Sequence, residues 1–551
     1  MSKVLAARPA TIRQKVKPTQ QQGPQRPAKA GPTMPAATQG VSSARSVGAP
    51  APGFAQVIEN GYATQTGVRP RGGARRQATT GTRAVASLLT YQGGALKYMF
   101  ACSNGSIYDV TSPADPTVAP AAAVTAMTGN FWVGANFATA GGNFMLAVNG
   151  SDLHRVFDGT TWAANVPAIT GTTSDNFDFI WSYASRLWFI KKNTLSVYYL
   201  PVDSIGGAVT EVSLKGQFNR GGSLVFGATW SSDTGSGLNE KIVFVSSEGE
   251  AVVYTGTDPS SPSTWSRVGT YLVGKPLGKK SFTNVGGDLV IETVDGIVTL
   301  SLAVTKDAGS LSISAVTKEV NPAWKALAAS FRTKEWSLVK WPEKNLLIAA
   351  YAGSYTLIAG VDTIDKTGNA YVANLETGAW NSSYTGLDMQ CTCYFNGVVY
   401  FGSANGRVYE AESTKGSDDS TAYIFRYLEW PDDLGDPGTK EFLQCRTTFT
   451  YSQPFNAQVK ISTDYVVTWA TAPSAGANST TGGFWDLGGF WDLGGTWDAT
   501  PTRVTQHLWR SLGRTGYVGA IQIQMTINNT TAPDVEIISD MITYRPGAVV
   551  T

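Results

Sequence analysis

From about residue 95 the chain repeats one pattern: a short apolar run, a tight polar turn, then a second apolar run. The first copy is Lys97-Tyr98-Met99-Phe100-Ala101-Cys102, which turns at Asn104-Gly105 into Ile107-Tyr108-Asp109-Val110. Asn-Gly suits a type I′ hairpin because both turn positions need positive φ. Further copies open at Asn143, Arg186, Lys241, Asp288 and Val398, with a looser one at Asn345. Their turns fall at Asn149-Gly150, Asn193, Glu248-Gly249, Asp295-Gly296 and Asn405-Gly406. The starts are spaced by roughly 45–60 residues, the length of a four-stranded propeller blade. Six or seven such units would close a ring and remove most free strand edges. A stack of separate sandwiches would need linkers, and none is visible. Several copies are followed by a Trp after a polar turn: Trp162, Trp265 and Trp380. A large ring at that place would fill the wedge between neighbouring sheets. One segment breaks the pattern. Asn321 can cap a helix, Pro322 suits its first position, and 323–331 favours helix, which predicts a surface insertion between blades.

The last part of the chain differs. After Glu429-Trp430-Pro431-Asp432-Asp433, strand-like runs at 442–450, 457–461, 521–527 and 535–543 predict an antiparallel sandwich of about 120 residues. Within it Phe-Trp-Asp-Leu-Gly-Gly occurs twice and then Thr-Trp-Asp, so Trp485, Trp491 and Trp497 recur every six residues. Six is even, so in extended chain the three rings share one face. They are candidate interface aromatics. A calcium loop would need ligand spacing that is absent, and a carbohydrate-stacking platform is the other reading. The expected architecture is therefore all-β: a basic extended arm over 1–53, a β-propeller over 54–420, and a β-sandwich-like domain over 421–551.

Charge sharpens this division. The net charge of the 551 residues is +2. Yet 1–108 holds 14 Lys and Arg against a single acid, Glu59, while the rest is net acidic. A basic arm on an acidic body points to different partners for the two parts. An acidic body is a poor grip for nucleic acid, because phosphate attraction dominates such affinity. Residues 1–50 are rich in Pro, Ala and Gln and poor in large apolar side chains, so they predict a segment without a core of its own. It reads as a solvated tail or as one ordered along a neighbouring subunit; a DNA-binding arm is disfavoured by its lack of aromatics. The densest positive stretch runs from Arg69 through Arg71 to Arg75 and Arg76. Guanidinium forks pair well with carboxylates, so these four are candidate partner-docking residues. A plain solvated loop is the alternative, and DNA phosphate is the third choice.

Candidate chemistry is sparse. Only two histidines are present, His154 and His507, and any His-based zinc site or Ser–His pair would have to use one of them. Four cysteines do not make a disulfide framework in a chain of this length. Cys391 and Cys393 are two apart, so a strand would put both on one face, as buried small hydrophobes rather than a metal pair. Asp158-Gly159-Thr160-Thr161-Trp162 lacks one spacer of the sialidase Asp-box. Thr234-Gly235-Ser236-Gly237 is not a nucleophile elbow, and Arg71-Gly72-Gly73 and Gly206-Gly207 lack the context of a phosphate loop. No apolar run reaches the 18 or so residues of a membrane helix, and no signal peptide is visible. The expectation is a non-enzyme with no cofactor and no metal.

The order of several motifs resembles tail proteins of short-tailed bacteriophages, the tail nozzle, tail hub or packaged-DNA stabilisation proteins. The matching pieces are Glu59-Asn60-Gly61 with 67–73, Lys192-Asn193-Thr194-Leu195 with 199–207, 245–250 running into 254–259, 274–278, 286–289, and the Trp-Asp repeat. The resemblance spans roughly 55–550 and rests on order, because no single motif is diagnostic. It implies a homo-oligomeric ring, typically a hexamer, beneath the portal and its adaptor. Such a ring surrounds the channel that retains packaged DNA and later releases it, and it docks tail fibres or tail-tip proteins. DNA would pass without specific binding along an acidic wall. The protein would be made in the host bacterial cytoplasm and reside in the virion tail, with no stable membrane anchor. The alternative is a carbohydrate-binding or carbohydrate-cleaving propeller, such as a receptor-binding tail protein. A WD-repeat scaffold lacks support, since its recurring Gly-His needs more than two histidines.

Overall fold

The computed structural model describes residues 26–49, 51–231, 240–306, 315–352, 370–475 and 503–547, with the backbone of two short strands, Ser354–Thr356 and Asp365–Thr367. Seven antiparallel sheets follow one another around an axis. Blade 1 covers 85–124, blade 2 133–164, blade 3 177–213 and blade 4 224–272, each with four strands. Blade 5 (282–299) and blade 6 (336–374) have three among the described residues. Blade 7 takes three strands from 391–410 and its fourth, Arg75–Thr79, from the other end of the propeller. That outer strand pairs antiparallel, Thr79 opposite Arg407 and Arg75 opposite Glu410, and locks the ring. The seven repeats read from the sequence are the second and third strands of the seven blades.

Apolar clusters fill the wedges between blades all the way round. Phe100 of blade 1 meets Phe157 and Trp162 of blade 2 edge-on. Trp265 of blade 4 stacks on Trp188 of blade 3, rings 5.6 Å apart and 13° from parallel. Val85 and Leu88 of blade 1 pack with Cys391 and Phe395 of blade 7. The Trp residues after the polar turns thus act as wedge fillers, as their position predicts.

The helix Asn321–Ser330 is not a surface insertion. Its Trp324 is fully buried, donates its indole N–H to the Thr293 carbonyl at 2.9 Å, and packs on Trp336 and Tyr371. Among the described residues blades 5 and 6 show three strands each, and the helix packs on apolar side chains of both. Val320, rather than Asn321, occupies the cap position, with Pro322 in the first turn as expected.

The sandwich draws on both ends of the chain. One sheet holds Gly61–Ala63, Val68–Pro70, Val535–Pro546, Lys440–Tyr451 and Val504–Gly516, with Lys29–Pro35 also paired to Val535–Pro546. The other orders Ala55–Glu59, Tyr423–Glu429, Gly519–Ile527 and Ala457–Thr463. Ile58, Phe425, Phe442, Phe449, Ile523 and Ile537 meet between the sheets. The domain boundaries therefore move. Residues 55–70 belong to the sandwich rather than the propeller, and 29–35 of the expected arm form a strand. That strand is almost wholly exposed and held by backbone pairing, so it needs no large apolar side chains. Beyond it, Val41 donates to the Trp380 carbonyl and Ser43 to that of Glu319, which straps this segment across blades 5 and 6.

Candidate docking site at the propeller–sandwich junction

The Arg-rich stretch lies where the chain leaves the sandwich at Pro70 and enters the closing strand at Arg75. The two modules meet here, and the chain returns through the same place at 410–423 after completing the ring. Acids from the return path face the arginines of the outward path. Arg71 is 1% exposed. Its two terminal nitrogens grip Asp418 at 2.7 and 2.5 Å, its Nε donates to Asn60 Oδ1 at 3.0 Å, and the Tyr423 ring lies 4.0 Å from the guanidinium carbon. Burial alone would weaken this cation; the Asp418 carboxylate more than offsets that and holds the guanidinium above its ordinary range. Arg76 pairs with Asp419, and Arg75 with Glu410 through Nε at 2.8 Å.

Glu412 completes the lock. It accepts from the Gly72 N–H at 2.7 Å and from the Tyr384 hydroxyl at 2.6 Å, which ties the outward path, the segment after blade 6 and the return path together. Burial and then Glu412 push the Tyr384 phenol well above its usual range. Glu412 and Asp419 both adopt left-handed backbone, φ 48°, an uncommon state for a non-glycine residue. Each of these turns delivers a carboxylate to the Arg stretch. Glu59, the lone acid of the basic part, accepts from Thr385 at 2.7 Å and pairs with Arg426 at 3.3 Å.

The expected docking strip is thus largely internal. Arg71 is corrected outright: a side chain enclosed by Asp418, Asn60 and Tyr423 offers nothing to a partner. Arg76 is mostly covered. Arg69 lies beside Tyr62 and donates to the Pro533 carbonyl at 3.4 Å, lining a 260 Å³ recess with Lys344. Arg75 keeps half its side chain in solvent. Sequence reasoning missed the counterparts Glu410, Glu412, Asp418 and Asp419, although their density over ten residues matches that of the arginines. Beside the lock, between blade 7 and the sandwich, a cleft of 720 Å³ is lined by Arg76, Arg407, Arg426, Asp388 and Asp419. Trp485, Trp491 and Trp497 lie outside the described residues.

Neither histidine builds a reactive pair with access. His154 Nδ1 lies 2.8 Å from the Ser174 hydroxyl, but both residues are sealed from solvent. Burial drops the imidazole to about 4, so it is neutral and its contact is structural. His507, on an exposed sandwich strand, contacts Thr448 at 3.0 Å. Cys391 and Cys393 share the wedge between blades 7 and 1, and burial raises the Cys391 thiol to about 11. Among the described residues no three His, Cys, Asp or Glu side chains gather as a metal site.

No protein-family model and no curated protein sequence matches the chain. Solved structures are similar over about three-fifths of the chain. The WD40 β-propeller domain of Doa1 aligns with 62% of this chain and 97% of its own, at 10% identity and TM-score 0.36. The propeller domain of Myceliophteria thermophila Cps50 (Swd1) covers 62% and 100%, at 8% identity and TM-score 0.37. YCF48 bound to D1 peptide covers 62% and 95%, at 12% identity and TM-score 0.35. The β-propeller fold itself rests on the strand order and closure given above.

Proposed function

We propose that the protein is a structural component of a bacteriophage tail, a nozzle or hub ring below the portal-adaptor that walls the DNA exit channel. The observation that carries this reading is the split of charge. Once Arg71, Arg75 and Arg76 are matched by their own acids, about half of the basic excess that remains in 1–108 lies in the first 25 residues. Residues 1–25 hold five Lys and Arg and no acid. They precede a net-acidic body whose ring and sandwich are joined through the enclosed Arg71–Asp418 pair and the partly covered Arg76–Asp419 pair. An acidic wall repels a polyanion and lets it slide, while a basic tail clamps acidic surfaces of neighbouring subunits or of the adaptor. The order of motifs that resembles nozzle proteins supports the same reading, with a homo-oligomeric ring, fibre docking and virion localisation as its consequences.

Light scattering with negative-stain imaging tests it, on the protein alone and with portal-adaptor rings. A ring with a central channel, or a monomer that assembles on the adaptor, is the expected result. A monomer that ignores the adaptor and binds or trims glycans replaces it with the carbohydrate reading.

A further inference from the structure

One end of the sandwich gathers apolar side chains in solvent. Asp464 and Tyr465 form a tight turn with left-handed backbone at both, φ 53° and 64°. The turn after the strand Val504–Gly516 touches it, where the Tyr517 N–H donates to Asp464 Oδ1 at 2.7 Å. Tyr465, Val466, Val467 and Tyr517 are each at least 40% exposed, an apolar patch spread over two adjoining turns. Exposed apolar residues scattered singly need no explanation, but a cluster marks an interaction surface. Acids border it. Asp432, Asp433, Asp436 and Asp464 all act on the ammonium of Lys440, which is enclosed and donates to the carbonyls of Gly438 at 2.9 Å and Tyr517 at 2.6 Å. Among the described residues none of these four carboxylates makes an ion pair. On the neighbouring strands Arg545 is taken by Glu441, which leaves Arg514 and Lys29. The surface suits a segment that carries both cations and apolar side chains.

Residues 1–25 have that chemistry and start from this place. They hold Lys3, Arg8, Arg13, Lys15 and Lys17 and no acid. In extended chain Ile12 and Val16 would face one way and Arg13, Lys15 and Lys17 the other. The tail is joined to Arg26, which donates to the Gly547 carbonyl at 3.0 Å. Across the sheet Lys440 lies between Pro546 and Gly516. Gly547 and the Tyr517 turn are therefore two strand spacings apart, about 10 Å. An extended tail of this length reaches up to about 80 Å, so the gap is easily spanned. A short gap bridged by a covalent tether gives a high effective concentration, which favours the chain's own tail over that of a second copy.

We infer that residues 12–17 of the tail dock on this end of their own chain's sandwich, with the cations on Asp433, Asp436 and Asp464 and the apolar side chains on Val466 and Val467. The contact belongs to the isolated chain and needs no ring. A neighbouring subunit or adaptor that captures the tail draws it away from this surface.

Zero-length carbodiimide coupling of the full-length protein at low salt tests the assignment. Lys15 or Lys17 is joined to Asp433, Asp436 or Asp464, and the joined peptides come from the single-chain band of a denaturing gel. Hydrogen exchange gives a second reading. The amides of 465–467 exchange about three to ten times more slowly in wild type than in the triple variant Arg13→Gln, Lys15→Gln, Lys17→Gln, as for two or three exposed ion pairs. The difference closes as salt rises. Lys97→Gln, an exposed lysine of blade 1, exchanges here like wild type, and thermal melts show that each variant is folded. Equal exchange in wild type and the folded triple variant overturns the assignment. So does absence of these links from the single-chain band, and links found only between chains hand the surface to a second copy. Assembly with the adaptor is read separately, so neither result stands in for it.

Discussion

At the scale of single residues, buried charge decides most of what is distinctive. Arg71 and Asp418 form a pair whose members are useless alone. Asp418→Ala leaves an enclosed guanidinium without its partner and is expected to cost about 3–5 kcal/mol, read as a lower urea midpoint. Replacing both by apolar residues of similar size should recover much of that loss. Glu292 is the opposite case. It is fully buried, neither carboxyl oxygen has a partner, and burial raises it well above its ordinary range. The native chain therefore keeps this proton at pH values where the unfolded chain loses it, so Glu292 lowers stability as pH rises above about 4.5. Glu292→Gln should gain stability over wild type, and the gain should grow between pH 5 and pH 8 in denaturant titrations. A gain that shrinks with pH contradicts the assignment.

At the scale of elements, the propeller was legible where side chains face neighbouring blades and illegible where they face the axis. Second strands such as Leu187-Trp188-Phe189-Ile190 are buried on both faces and read as continuous apolar runs. Inner strands such as Val133–Thr139 alternate buried and exposed positions around Gly134 and Asn136, so they left no repeat to follow. The closing strand Arg75–Thr79 was hidden because its partner lies more than 300 residues away. The same distance concealed the lock: the arginines of 69–76 read as a surface strip because nothing local shows that acids of 410–419 return to meet them. The wedge helix was misplaced for a related reason, since a short Ala-rich segment announces helix but not burial. Trp324→Ala should cost about 3–5 kcal/mol. Its effect should appear first in hydrogen exchange of blades 5 and 6, with blades 2 and 3 little affected.

At the scale of the whole molecule, tail and body should separate by experiment. Neutralising Arg8, Arg13, Lys15 and Lys17 to Gln should leave the melting temperature within a degree or two, because the Pro-, Ala- and Gln-rich segment that carries them has few large apolar side chains to bury. The same change should weaken assembly with the adaptor in light scattering, most clearly at low salt, where screening is least. Unfolding of that variant would count against a division of labour between tail and body. The sandwich carries a further consequence, one of timing. Its strands at 29–35, 55–59 and 68–70 pair with strands that begin at 423 or later, and the propeller waits for 407–410 before its ring can close. At roughly 5–20 residues per second on the ribosome, the first strands wait for tens of seconds before their partners exist. Birth of this chain is therefore a race in which its two ends meet last, and any factor that shields the early edges while the blades emerge should raise the yield of native protein.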